Sequence, residues 1–245
     1  MATQKASITK NAKAVKKPAY LDSFYSIFYR KSKLSMLLND DRVQSFLSLG
    51  FRSRLIDELL EDIGTNSSVL QIGCTFGSQI KKTAEKIGKY GSYTVMDVLE
   101  NQLAFCKEQN KNQNINFVLY DARKPFDLKF DAVVCFMLLH ELPPTSRRKV
   151  VNNALDSVKK DGKVIFIDYD KPSKLNPLYF MLKPFNRLFF PLTESLQTTP
   201  IQALAQKSAH FAWYKKNYAG KMFQKVVAVR RIADEKKPEV KPSFY

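Results

Sequence analysis

Residues 68–87 hold a short apolar run, Ser68-Val69-Leu70-Gln71-Ile72, then Gly73 and Gly77, then helical apolar spacing over 79–87. A strand that turns through glycines into a helix is the opening half of a βαβ unit. Glycine takes the tight turn without a side-chain penalty and lets backbone approach a ligand. The pattern repeats, with strands expected at 93–96, 116–120, 132–136 and 164–168, separated by helical segments such as 102–109 and 147–159. Alternating strands and helices predict a parallel sheet covered on both faces. Asp161-Gly162 reads as the stop between a helix ending near Lys159 and the fifth strand.

Residues 20–30 are rich in Phe and Tyr, and 40–62 carry apolar residues at Val43, Phe46, Leu47, Phe51, Leu55, Leu59 and Leu60. Both read as helices ahead of the sheet. Past Asp168 the alternation stops. Residues 172–200, broken by Pro177, Pro184 and Pro191, read as an apolar insertion of short helices. The runs 211–214 and 223–230, joined through Ala219-Gly220, read as an antiparallel hairpin. The expectation is one domain over 20–231 with disordered tails at 1–19 and 232–245. Residues 1–18 hold five lysines and no acid, which leaves a mitochondrial transit peptide as the other reading of that end.

Forty Lys plus Arg against 23 Asp plus Glu give a formal net charge of +17. Such an excess repels itself unless an anionic partner offsets it, and both an anionic membrane surface and nucleic acid qualify. Cys74, Cys106 and Cys135 have no paired zinc spacing and their odd count argues against a disulfide framework, so buried thiols in a reducing compartment are expected. No apolar run approaches the ~20 residues needed to cross a bilayer, so the chain is expected to be soluble or peripheral.

In open α/β sheets, ligands bind beyond the carboxyl ends of the strands. The turn Gly73-Cys74-Thr75-Phe76-Gly77 lacks the Gly-x-Gly-x-x-Gly spacing of dinucleotide sites, so a single nucleoside is the expected ligand. Asp97, ending the second strand, is placed to accept from ribose hydroxyls. Asp121, with Ala122 beside it, is placed to accept from an adenine amino group, and Phe136 and Met137 to pack on the ring. Just past the fourth strand, His140 and Glu141 face the same crevice. They read as a metal-binding or proton-moving pair, or His140 as a buried core histidine. Tyr169 and Asp170 read either as a substrate border or as an anchored tyrosine with a capping aspartate. His210 has no acid or thiol at ligand spacing.

The segment Gln71-Ile72-Gly73-Cys74-Thr75-Phe76-Gly77 resembles the first motif of class I S-adenosylmethionine-dependent methyltransferases, with Gln71 where an acid is usual and Thr75 where a glycine is usual. The resemblance implies a Rossmann-like α/β fold, a mostly parallel seven-stranded sheet with an antiparallel C-terminal hairpin. It also implies S-adenosylmethionine bound by Gln71, Gly73, Thr75, Gly77, Asp97, Asp121, Ala122, Phe136 and Met137. Neutral Gln71 implies that the methionine end of the cofactor is held differently. Leu138-Leu139-His140-Glu141-Leu142-Pro143 is similar to a stretch of the rhodoquinone biosynthesis methyltransferase-like proteins. The similarity extends through Gly162-Lys163, Asp168-Tyr169, Pro172, Pro177-Leu178 and 224–228. This resemblance implies exchange of a ring methoxy group of ubiquinone for an amino group, with S-adenosylmethionine as nitrogen source and a divalent metal such as manganese. His140, Glu141, Tyr169 and Asp170 form the candidate catalytic set, with His140 and Glu141 as the metal pair.

Phe76, Leu142 and Asp170 depart from that family's tyrosine, glutamine and histidine, which leaves a related quinone chemistry open. The apolar stretch 175–196, with Lys183 and Arg187, suits a lid dipping into lipid headgroups. The chain is therefore expected at the inner face of a membrane, mitochondrial if eukaryotic. Competing expectations are a methyltransferase of another small molecule or RNA, and a non-catalytic scaffold. RNA is disfavoured because Asn176-Pro177-Leu178-Tyr179, the one Asn-Pro-x-Tyr stretch, follows the fifth strand rather than the fourth.

Overall fold

The structure, a computed structural model, describes residues 39–48, 50–111, 113–173, 176 and 192–231. The expected tails, the 20–30 helix and most of the apolar insertion lie outside the described residues. The element order is α1 (Asp41–Leu47), α2 (Arg52–Glu61), β1 (Ser68–Ile72), α3 (Gln79–Ile87), β2 (Ser92–Asp97), α4 (Glu100–Gln109), β3 (Ile115–Leu119) and β4 (Phe130–Phe136). A 3-10 turn at Leu139–Glu141 follows, then α5 (Pro144–Asp156), β5 (Val158–Tyr169), α6 (Thr193–Gln197), β6 (Phe211–Tyr218) and β7 (Phe223–Arg230), with short 3-10 turns between α6 and β6.

The seven strands form one sheet in the order β3-β2-β1-β4-β5-β7-β6. The pairings from β3 through β5 are parallel, and β7 runs antiparallel to both β5 and β6. This is the mostly parallel sheet with an antiparallel C-terminal pair that the alternation and the late hairpin predict. The chain reverses its direction of sheet growth between β1 and β4, so their carboxyl ends open a crevice at the switch point.

Period-two alternation sends the sheet's apolar side chains into two layers. On one face Leu70, Ile72, Val133, Cys135, Val164 and Phe166 pack against Val150, Val151, Ala154 and Leu155 of α5. On the other, Val69, Val95, Val134 and Ile165 pack against Leu55, Ile56 and Leu59 of α2 and Ile80 and Ile87 of α3. Each such side chain, fully buried, contributes about 1.5–3 kcal/mol.

Two boundaries differ from the sequence expectation. The 40–62 segment is two helices, broken at Gly50, whose φ of +80° ends α1. The fifth strand begins at Val158, so Asp161-Gly162 lies inside it rather than ahead of it. The reason is a bulge: Phe130 pairs with Val158, yet Ala132 pairs with Lys163. A Cβ on Gly162 would lie 2.7 Å from the Asp131 carbonyl oxygen and 3.0 Å from that of Phe130. Glycine here serves close backbone approach rather than a helix stop. Gly162→Ala is expected to destabilise the fold by about 1–3 kcal/mol, read as a lower urea midpoint at unchanged slope.

Candidate cofactor and catalytic site

The turn after β1 is shaped by two glycines in the left-handed region, Gly73 at φ +87° and Gly77 at +73°. Gly73 N–H donates to the Met96 carbonyl at 2.8 Å, tying the turn to β2. Asp97, at the end of β2, accepts from Cys74 N–H at 2.7 Å and from Leu99 N–H at 2.8 Å. Burial raises the Asp97 pKa, and the backbone donors at Cys74 and Leu99 oppose that rise. A Cβ on Gly73 would meet Leu138 Cδ2 at 3.2 Å, so the glycine turn and the loop after β4 form two walls of one crevice.

Gln71 is fully buried and faces α3. Its amide pairs reciprocally with Gln79, donating at 2.8 Å and accepting at 3.0 Å, and its oxygen accepts from Tyr93 Oη at 2.7 Å. Thr75 Oγ1 also donates to Gln79 Oε1, at 2.7 Å, and Gln79 donates to Thr83 Oγ1 at 3.0 Å. Gln71 and Thr75, the two departures from the methyltransferase turn, thus belong to a single neutral network beneath it.

The remaining expected cofactor residues stand at strand ends. Asp121 follows β3, but its carboxylate is held by Arg123, with Nε at 2.9 Å from Oδ1 and a terminal nitrogen at 2.8 Å from Oδ2. Burial pushes the Asp121 pKa up and Arg123 outweighs it, leaving the carboxyl below its usual value. Ala122 is partly buried, and its carbonyl accepts from Asn153 Nδ2 at 2.8 Å. Phe136 is buried at the end of β4. Met137 follows at φ +50°, a conformation costing a non-glycine residue about 1–3 kcal/mol. Its N–H still bonds the Ile167 carbonyl at 2.7 Å.

His140 is 3% exposed in the 3-10 turn after β4. Its Nδ1 lies 2.8 Å from Asp168 Oδ1, and Asp168 also accepts from Leu139 N–H at 2.7 Å and Tyr169 N–H at 2.8 Å. The Tyr169 ring meets the imidazole edge-on at 4.8 Å and stacks on Phe223 at 5.2 Å. His140 Nε2 is 3.9 Å from Glu141 Oε1. Burial depresses the imidazole pKa, but Asp168, helped by Glu141, outweighs it and raises the value above 6.5. Buried Arg147 fixes the loop itself, donating to the Leu139 carbonyl at 2.9 Å and the Leu142 carbonyl at 3.0 Å.

Asp170 is not part of this group. Its carboxylate is bound by Lys215 at 2.7 Å and by Asn217, both on β6. The metal pair is not completed either: among the described residues, no three His, Cys, Asp or Glu side chains converge as a metal site. Cys106 and Cys135 are buried free thiols as expected, while Cys74, in the turn, is only partly buried. Asp168 is legible in the sequence as the acid closing an apolar strand and in the Asp168-Tyr169 likeness, but not as the partner of His140. Arg52, Gln79 and Arg147 carried no sequence signal, since helical charged and polar residues are ordinarily solvated.

Residues 69–162 match the family of methyltransferase domains. The chain is 26% identical over 144 residues to an uncharacterised methyltransferase of Staphylococcus carnosus, spanning 58% of this chain and 67% of that one. Its fold is similar to that of the N-methyltransferase NodS from Bradyrhizobium japonicum in complex with S-adenosyl-L-homocysteine. That likeness has a TM-score of 0.55 at 13% identity, covering 88% of this chain and 100% of that one. It is also similar to the mitomycin 7-O-methyltransferase MmcR, with a TM-score of 0.62 at 10% identity, over 94% of this chain and 67% of that one. The fold is that of the class I methyltransferases. The domain match and the relative support an S-adenosylmethionine-dependent transferase. No helix among the described residues is long and apolar enough to cross a membrane.

Proposed function

We propose that this protein transfers a group from S-adenosylmethionine to a lipophilic, quinone-like ring, using His140 as the proton-accepting residue. The observation that carries this reading is the His140–Asp168 pair, 2.8 Å apart, in the loop that also walls the glycine turn. The residues fit the cofactor. Asp97 offers a carboxylate beside the turn for the ribose hydroxyls, and Gly73, at positive φ, shapes that turn and makes room for Leu138 beside it. S-adenosylmethionine supplies an electrophilic carbon on a sulfonium. Asp168 accepts from Nδ1–H and so presents Nε2 as the basic nitrogen. Nε2 takes the proton of an acceptor hydroxyl or amine as that group becomes nucleophilic. Partly buried Leu138 offers the ring an apolar border.

The quinone class rests on the likeness of residues 138–143, and a membrane-borne acceptor gives the +17 charge a role at anionic lipid. Incubation with S-adenosylmethionine and ubiquinone or its quinol in detergent micelles, with and without manganese, tests it by mass spectrometry. Methylated quinol supports the reading; an amino-for-methoxy change keeps the cofactor and the ring but overturns the carbon-transfer step. Unaltered quinone from a protein that binds the cofactor moves the acceptor to another small molecule. Asp97→Ala is expected to weaken S-adenosylhomocysteine binding by about 10- to 100-fold, because two hydroxyls lose a charged acceptor. Isothermal titration checks it.

A further inference from the structure

Arg52, the first residue of α2, is 8% exposed, and its Nε has no hydrogen-bond partner among the described residues. Its guanidinium lies 5.7 Å from the Phe136 ring centroid at the end of β4, and a terminal nitrogen donates to the Phe76 carbonyl in the glycine turn. It thus sits between the two walls of the crevice. A buried cation with an unsatisfied donor is costly unless an anion completes it. Burial lowers the Arg52 pKa to about 10, with Asp41 opposing the fall.

The start of α3 lies beside it, and its donors are occupied by the chain itself. Gly77 N–H donates to Asn39 Oδ1 at 2.9 Å, and Ser78 donates to Asp41 Oδ1 from N–H at 3.0 Å and from Oγ at 3.1 Å. A Cβ on Gly77 would lie 2.6 Å from Asp41 Oδ1 and 3.5 Å from both Arg52 Nε and its terminal nitrogen. Gly77 therefore leaves space for a carboxylate and a guanidinium to meet over the turn. First-turn N–H groups, the positive end of the helix dipole and a guanidinium together form a carboxylate receptor. Asp41 fills it from an exposed position on α1, a helix of seven residues too short to be stable alone.

We propose that Arg52 and the first turn of α3 receive the α-carboxylate of the cofactor, and that Asp41 closes this receptor until the cofactor displaces it. The inference rests on the S-adenosylmethionine reading and extends it to the methionine end. That end has only the neutral Gln71–Gln79 pair where an acid is usual. With the nucleoside directed to Asp97, the carboxylate falls at the opposite end of the turn. Displacing Asp41 would release the 39–48 segment from the crevice, coupling cofactor binding to the chain that precedes the sheet.

The test titrates the full chain with S-adenosylhomocysteine and with 5′-methylthioadenosine, which keeps the nucleoside and lacks the carboxylate. Arg52→Met is expected to weaken S-adenosylhomocysteine by about 10- to 100-fold and leave methylthioadenosine unchanged. Asp41→Ala is expected to tighten S-adenosylhomocysteine about three- to tenfold, because the internal competitor is gone. Arg52→Lys keeps the charge without the planar fork and serves if the methionine variant does not fold; its expected loss is smaller but again confined to the carboxylate ligand. Equal loss of both ligands, or loss of neither, overturns the inference while leaving the cofactor reading intact. Failure of the unaltered protein to bind either ligand overturns both.

Discussion

Replacing His140 with alanine is expected to lower kcat by about 10²- to 10⁴-fold, the usual contribution of a positioned general base. S-adenosylhomocysteine affinity should stay unchanged, because the proposed role of the imidazole is toward the acceptor and not the cofactor. The pH dependence sharpens the expectation. His140 titrates above the ordinary 6.5, because Asp168 overcomes the effect of burial. Only the neutral ring accepts a proton, so turnover should rise with pH through that elevated value. Stability runs the other way. A raised folded-state pKa contributes its full stabilisation below the unfolded value and loses it as pH rises through the folded one. A protein whose activity grows while its melting temperature falls over the same pH interval, above the ordinary imidazole value, would carry the signature of this pair. A flat profile, or an alanine variant with full turnover, would remove His140 from the chemistry.

Replacing Asp168 with alanine is expected to cost the fold about 3–5 kcal/mol. The carboxylate is buried and accepts from Leu139 N–H, Tyr169 N–H and the His140 ring, and all three would lose their partner where water cannot replace it. For a chain of this size that is roughly 6–20 °C in melting temperature. Asp168→Asn, which keeps the shape and one acceptor oxygen, should lose less stability while moving the rising limb of the activity profile to lower pH, because the charge that raises the His140 pKa is gone. Calorimetry on the two variants separates the packing role from the electrostatic one. Equal melting temperatures for the alanine variant and the unaltered protein would mean that the carboxylate is not the keystone of this loop.

Fold and site were legible to different degrees in the sequence. The parallel sheet was readable because its strands are continuous apolar runs that alternate with amphipathic helices. The hairpin was readable because Ala219-Gly220 interrupts two strand-like runs. The fifth strand's start was misread because a glycine serves a helix stop and a close backbone approach equally well, and only the pairing of Phe130 with Val158 decides between them. Within the site, glycines and strand-end acids announced themselves by position. The partners that tune them did not. Arg123 sits two residues from Asp121, yet nothing in the spacing says that its guanidinium turns back onto the carboxylate. Asp168 and His140 are 28 residues apart and meet only because β4 and β5 are neighbours in register. Asp170 shows the complementary case: two residues further along, its carboxylate turns toward Lys215 on β6. Arg52 lies on a helix that reads as an ordinary amphipathic surface element, and only its burial against Phe76 and Phe136 marks it.

The glycine turn after β1 is expected to bind S-adenosylmethionine rather than a dinucleotide. Isothermal titration of the purified chain with S-adenosylhomocysteine and, separately, with NAD tests it most directly. The predicted result is saturable binding of S-adenosylhomocysteine at a single site, strongly weakened by Asp97→Ala, with no binding of NAD. Absence of S-adenosylhomocysteine binding by the folded protein, or binding that Asp97→Ala leaves untouched, would contradict the account.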